Sequence, residues 1–325
     1  MARIKCIMMQ HDETQLLEPW LRYHGHLFGY ENLVVLDHGS RDPEVLAVLD
    51  RYRAAGVTVE WLDPAPELFA QKGNLVAHAI RALDRGPAYD FAVPLDCDEF
   101  VTVMEPAEVS ADRDAIHAAF DALIGEQRAL SIEMSFTNAV GRPGWFTTGV
   151  AWKSFLPAGG VTELDEGFHM PRSSLAEGVR ETRLCHLHFR HKPFPVFLDH
   201  ARRKLAAQVD CGDPQALLAY VGPGHHLVPY LFMTAKQYAR VSDDLVAFAA
   251  PGFVAVARRI GIDGMLFADG PAPPDGTFAV KLPGQRARGF DAAAYMRANP
   301  DVAIALHGPL YHYLRHGWKE GRPLG

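Results

Sequence analysis

Cysteine is scarce in this chain of 325 residues: there are four, at positions 6, 97, 185 and 211, with none of the short paired spacings of a thiolate metal site. That excludes a disulfide framework and suits a reducing compartment, so a cytoplasmic protein is expected. Positive charge is not in excess either. The formal net charge is −7 and the isoelectric point about 6.1, which removes any general attraction for nucleic acid or an anionic membrane surface. No window approaches the roughly 20 apolar residues needed to span a bilayer, so no integral membrane segment is expected. The opening Met-Ala-Arg-Ile-Lys-Cys-Ile-Met-Met lacks the apolar stretch of a signal peptide and reads directly as a strand. After that strand there is no glycine-rich basic phosphate loop. Met9-Gln10-His11-Asp12-Glu13 stands in its place, which argues against a nucleotidyltransferase.

What the chain does have is 48% hydrophobic and 22% charged residues, enough for a sizeable core. Its first hundred residues alternate strand and helix patterns, the signature of parallel βαβ units. Strands are expected over 3–9, 32–37, 57–61 and 91–95, with helices over 43–55 and 71–84. Asp12 with Gln15 could cap a turn, and Pro19 suits the first position of a helix that Gly29 ends. Later strands are expected at 128–134, 150–156 and 182–189, and helical patterns at 194–208, 213–221 and 232–260. A Gly/Pro-rich stretch, 269–289, has the composition of a linker. Beyond it, residues 290–325 form a block dense in aromatics and histidine.

The most informative stretch is Phe91-Ala92-Val93-Pro94-Leu95-Asp96-Cys97-Asp98-Glu99-Phe100. An apolar strand there ends in carboxylates one residue apart, at the edge where open α/β sheets bind ligands. Oxygen ligands suit Mg²⁺ or Mn²⁺, and the open positions of such an ion suit a diphosphate. Acids also lie near two other strand ends, at Asp12 and Glu13 and at Asp37. On a strand, His186 and His188 share a face and can reach one ion or one phosphate; the same pattern also occurs as a pair of polar residues facing solvent. Phe100 stands where a phosphohydrolase using an aspartate nucleophile would carry Thr or Val.

Taken together, His11-Asp12-Glu13, Leu17-Glu18-Pro19-Trp20-Leu21-Arg22-Tyr23-His24, Val35-Leu36-Asp37-His38-Gly39-Ser40, Gln71 and Asp96-Cys97-Asp98-Glu99-Phe100 resemble a bacterial glycosyltransferase of the family 2 type, in the Asp-x-Asp-Glu-Phe subgroup that is also similar to family 92. The resemblance covers roughly residues 3–210, and Lys153, His169, His186-Leu187-His188 and Lys204 look like its later landmarks. The resemblance implies a GT-A fold: a Rossmann-like, mostly parallel α/β sheet flanked by helices. It would fill 1–268, with a nucleotide half to about 104 and an acceptor half after it. It also implies transfer of a sugar, with inversion, from a nucleoside diphosphate donor, UDP by default, to a glycan or other hydroxyl acceptor in surface polysaccharide synthesis. The cofactor would be Mn²⁺ or Mg²⁺.

Under that resemblance Asp98 binds the metal, Asp96 contacts the ribose or the metal, and His186 is a third ligand. Glu13 and Asp37 hold base and ribose, although each equally suits a helix or turn cap. Lys204 is the chosen cation for the diphosphate, Gln71 belongs to the nucleotide set, and His169, His188 and Lys153 are further candidates. Inversion needs a base. Asp165 and Glu166 come first, ahead of Glu163 and Glu133, although no spacing rule selects among them. The block 290–325 resembles a small two-helix module found on surface-polysaccharide enzymes and is expected as a packing appendage. The rival reading keeps the fold and drops turnover, leaving a nucleotide-sugar or glycan binding protein.

Overall fold

The computed structural model describes all residues except 66–70, 150–151, 171, 207, 268–275, 305–306 and 325. Its parallel core is built from β1 (Ile4–Gln10), β2 (Leu33–Asp37), β3 (Thr58–Trp61) and β4 (Phe91–Leu95), all paired in parallel in the order β4-β1-β2-β3. Buried on both faces, β2 and β4 read as unbroken apolar runs and not as alternation. The connecting helices are α1 (Leu17–Phe28), α2 (Pro43–Ala54) and α3 (Lys72–Leu83). Asp42 caps α2 by accepting from the Glu44 and Val45 amides, with Pro43 as first helical residue.

The second half adds β5 (Glu99–Met104), β6 (Val109–Ser110), α4 (Arg113–Asp121), β7 (Ala129–Asn138), β8 (Trp145–Thr148), β9 (Lys153–Pro157), β10 (Val179–His188) and α5 (Phe194–Ala206). Antiparallel β9 joins β4 to β7, and β10 lies between β5 and β7. The α/β class with helices flanking a mixed sheet therefore stands as expected. Among the described residues no helix is long and apolar enough to cross a membrane.

Several local expectations need correction. Helix α1 starts at Leu17, so Pro19 is its third residue. Asp12 does not cap that turn with Gln15: it has a left-handed backbone (φ 46°) and accepts from the Arg41 and Asp42 amides across the loop. Glu13 caps instead, taking the Gln15 and Leu16 amides. The strand expected at 150–156 begins at Lys153, and residues 150–151 lie outside the described set. Residues 232–260 are not one helical pattern. A strand, β11 (Ala247–Ala249), pairs with β8 before helix α6 (Pro251–Arg259), because edge pairing rewards a short apolar run as well as a helix does.

The Gly/Pro-rich stretch is not a free linker over its later part. Two further strands, β12 (Ala279–Lys281) and β13 (Arg288–Gly289), extend the sheet from β11; residues 268–275 are outside the described set. The terminal block folds as α7 (Ala292–Ala298), a 3-10 turn at Pro300–Ile304, α8 (Gly308–His312) and a π-turn at Tyr313–Gly317. Its Phe290, Tyr295, Val302, Leu310, Tyr313 and Leu314 belong to the same apolar cluster as Val103, Ile132 and Phe136 of the sheet.

Candidate functional site

Parallel pairing brings the carboxyl ends of β1, β2 and β4 to one edge, with Gln10 opposite Asp37 and the Asp96–Asp98 turn beside them. That turn is closed by Glu99, whose Oε2 accepts the Asp96 amide at 2.9 Å while its own amide donates to the Asp96 carbonyl. Helix α3 delivers Lys72 to the turn because Gly73 lets it lie against the chain at Leu164. A Cβ at Gly73 would stand 2.0 Å from the Leu164 carbonyl oxygen.

Two ammonium groups take both oxygens of Asp96. Lys72 Nζ is 2.6 Å from Oδ1 and Lys153 Nζ is 2.6 Å from Oδ2. Lys153 is 2% exposed, also reaches Glu99 Oε2 at 3.1 Å, and lies over the Phe168 ring, as does Lys72. Burial would raise the Asp96 carboxyl, but Lys153 and Lys72 together hold it far below the carboxylate range. Glu99 moves the other way, raised by burial despite Lys153. Asp96 is thus an acceptor for two lysines, whose positions no spacing rule relates to the acid.

Asp98 is differently placed. Its Oδ2 lies 3.1 Å from His188 Nε2, and burial notwithstanding, His188 holds its carboxyl down to about 2. Burial alone would lower His188, but Asp98 outweighs it and the imidazole is raised above 6.5. The sign follows: this histidine stabilises the fold fully below its unfolded value of about 6.5, and the contribution is lost as pH rises through the higher folded value. In metal-free protein, histidine titration by NMR should show His188 above the free-imidazole value and Asp98→Asn should lower it, since the largest influence opposing burial is removed while Glu99 and Asp96 remain. An unchanged His188 value in Asp98→Asn would mean that the pair is not coupled.

His186 is fully buried, pushed well below the usual imidazole range by burial, and neither ring nitrogen has a hydrogen-bond partner. It faces Glu99 Oε1 at 3.5 Å. Glu13 pairs with Lys192 at 2.6 Å, and His200 on α5 feels Lys192, Lys204, Asp98 and Glu13. Lys204 is exposed one turn after His200. Gln71 is exposed and precedes α3 without capping it. Asp37 is buried and occupied by its own turn: it accepts from the Ser40 amide and hydroxyl and from Gln10 Nε2.

Of the base candidates, Asp165 accepts three amides, from Gly167, His169 and Met170, and its Oδ2 lies 3.2 Å from His169 Nδ1. Against the effect of burial, those amides lower its carboxyl, and through them Asp165 holds its loop. His169 is lowered by burial and then by Lys153, so it is neutral near pH 7. Glu163 and Glu166 are exposed. Glu133 lies away from the turn, 3.7 Å from Arg315 of the terminal block. The residues missed by sequence reasoning are Lys72, His200 and Glu99; only Glu99 left a signal, its place in the Asp-x-Asp-Glu-Phe run, whereas Lys192 is among the cations the sequence offers for the diphosphate beside the preferred Lys204.

A cleft of about 920 Å³ reaches the Glu13–Lys192 pair. Leu16, Leu17, Val45, Phe146, Phe189 and Phe267 line its apolar part.

The sequence matches no family model and no curated protein. Among solved structures it is similar to glucosyl-3-phosphoglycerate synthase from Mycobacterium tuberculosis in complex with Mn²⁺, UDP and phosphoglyceric acid, with 21% identity and a TM-score of 0.27. The same enzyme with Mn²⁺ and UDP-glucose is 20% identical at the same TM-score, and a further mycobacterial protein is 21% identical, also at 0.27. The overlap covers 42% of this chain and 44% of the synthase, so the chain spans less than half of the structures it matches. No residue role is carried over from them.

Proposed function

We propose that this chain is a GT-A glycosyltransferase of the family 2 type that transfers a sugar, with inversion, from a nucleoside diphosphate donor to a glycan or other hydroxyl acceptor. The observation that supports this best is the Asp98–His188 pair, set at the carboxyl edge of parallel strands among Lys72, Lys153 and Lys192. Asp98 and His188 fit a divalent cation, an anionic oxygen beside an imidazole, and such an ion would neutralise charge on the departing diphosphate. The chain's own part is to bind and orient. Lys192 and Lys204 face the diphosphate, Glu13 positions Lys192, and Gln71 lies at the donor's edge.

In the reaction the acceptor oxygen forms a bond to the anomeric carbon as the bond to the diphosphate oxygen breaks, and the acceptor proton goes to a base. His169 takes that role in this reading. It is neutral, Asp165 orients it, and the seat needs Gly167, where a Cβ would meet the ring at 1.9 Å. The cleft that reaches Glu13 and Lys192 is room for the acceptor. UDP is the first donor to test, and cytoplasmic surface-polysaccharide synthesis the setting to test it in.

Asp98→Asn should abolish cation-dependent binding of nucleoside diphosphate while leaving the melting temperature of the free protein within a few degrees. The measurement is a thermal-shift panel of UDP, GDP and other diphosphates with and without Mn²⁺. No shift with any diphosphate in the native protein would remove the transferase reading. Binding without donor hydrolysis or transfer would instead favour the nucleotide-sugar binding protein, a reading consistent with lysines occupying both oxygens of Asp96.

A further inference from the structure

Beneath the Asp98 turn, a nitrogen of His186, a nitrogen of His188 and a carboxylate oxygen of Glu99 all lie within 4.8 Å of one another. The strands bring them together: antiparallel pairing sets His188 opposite Glu99, and His186 follows two residues earlier on the same strand. Glu99 divides its work between its two oxygens. Oε2 takes Lys153 and the Asp96 amide, which leaves Oε1 facing His186 Nε2 at 3.5 Å. His186 is fully buried, yet neither of its nitrogens makes a hydrogen bond, and the hydroxyl of its register neighbour Ser135 is also buried without one. Buried polar atoms left unpaired are disfavoured by about 1–3 kcal/mol each, so such a group calls for a ligand.

We propose that Glu99, His186 and His188 form a ligand set for a nitrogen-preferring divalent transition ion of the Zn²⁺ or Co²⁺ kind, with Asp98 at its open side. Two imidazoles and one carboxylate are the donor set of zinc sites, whereas Mg²⁺ prefers oxygen and keeps its waters. Asp98 then has the place of the carboxylate that orients a ligating histidine. The inference deepens the transferase reading by naming the class of its ion. Binding of the ion itself stands or falls separately.

The test uses Co²⁺ alone with the full-length, metal-stripped protein, because the visible spectrum of Co²⁺ reports its coordination. Native protein should bind one Co²⁺ with the intense band of a four- or five-coordinate ion, and a 100-fold excess of Mg²⁺, on the order of the selectivity expected for nitrogen ligands, should not displace it. His186→Gln and Glu99→Gln should each weaken binding at least about tenfold. Circular dichroism melting checks that each variant is folded, and Glu99→Gln serves where the histidine variant fails to fold. The weak spectrum of an octahedral ion, displacement by Mg²⁺, or full affinity in a folded His186→Gln or Glu99→Gln protein would overturn the assignment. Co²⁺ binding as described with no shift by any nucleoside diphosphate would uphold the site and remove the transferase reading alone.

Discussion

Protein lacking residues 290–325 should be insoluble or aggregated, not a smaller folded enzyme. Phe290, Tyr295, Val302, Leu310, Tyr313, Leu314 and Leu324 are each less than a tenth exposed and belong to the sheet's own apolar cluster. Burying a large apolar side chain contributes about 1.5–3 kcal/mol, so losing seven removes on the order of 10–20 kcal/mol. That equals or exceeds the roughly 5–15 kcal/mol that holds a typical domain together. Polar contacts point the same way, with Arg315 facing Glu133 and His307 facing Glu181. Size exclusion and thermal melting of the truncated chain are the measurement. A monomer melting within a few degrees of full length would mean that the block is a separable module, as the Gly/Pro-rich stretch before it suggests from composition.

Lys153→Met should destabilise the protein by about 3–5 kcal/mol, the usual effect of stripping the partner from buried charge. Methionine keeps most of the volume, so the loss reports the charge and not a cavity. Asp96 would retain Lys72, whereas Glu99, 1% exposed, would lose the Lys153 ammonium at its Oε2. Burial already raises the Glu99 carboxyl, and without Lys153 it should rise further. A carboxyl whose folded pKa lies above its unfolded value binds more protons in the folded state, so stability falls as pH rises. The variant should therefore recover part of its deficit near pH 5 relative to pH 8. Urea unfolding at the two pH values measures both effects. A loss below about 1 kcal/mol, the range of an exposed ion pair, would show that Lys153 is not needed to balance the turn.

The sequence by itself determined the parallel half. Apolar runs at β1, β2 and β4, helical spacing between them, and acids just past the strand ends are local signals, so the α/β class and the location of the Asp96–Asp98 turn followed from chemistry that neighbouring residues carry. The His-x-His strand was legible for the same reason: alternation puts both imidazoles on one face whatever the strand packs against.

Only the tertiary structure decided which partner each group has. Asp96 and Asp98 are one residue apart, yet one meets two lysines, 24 and 57 positions away, and the other a histidine 90 positions away. No local pattern encodes those distances, because they arise from where α3, β9 and β10 come to rest against β4 and β5. Asp37 and Asp165 accept amides of their own turns, while His186 looked like one of a polar pair and is buried without a hydrogen bond. The role of Gly/Pro composition was misread in the same way. A stretch poor in periodicity still supplies edge strands when a sheet edge is there to pair with, and an aromatic block too small for its own core is stable once it shares one.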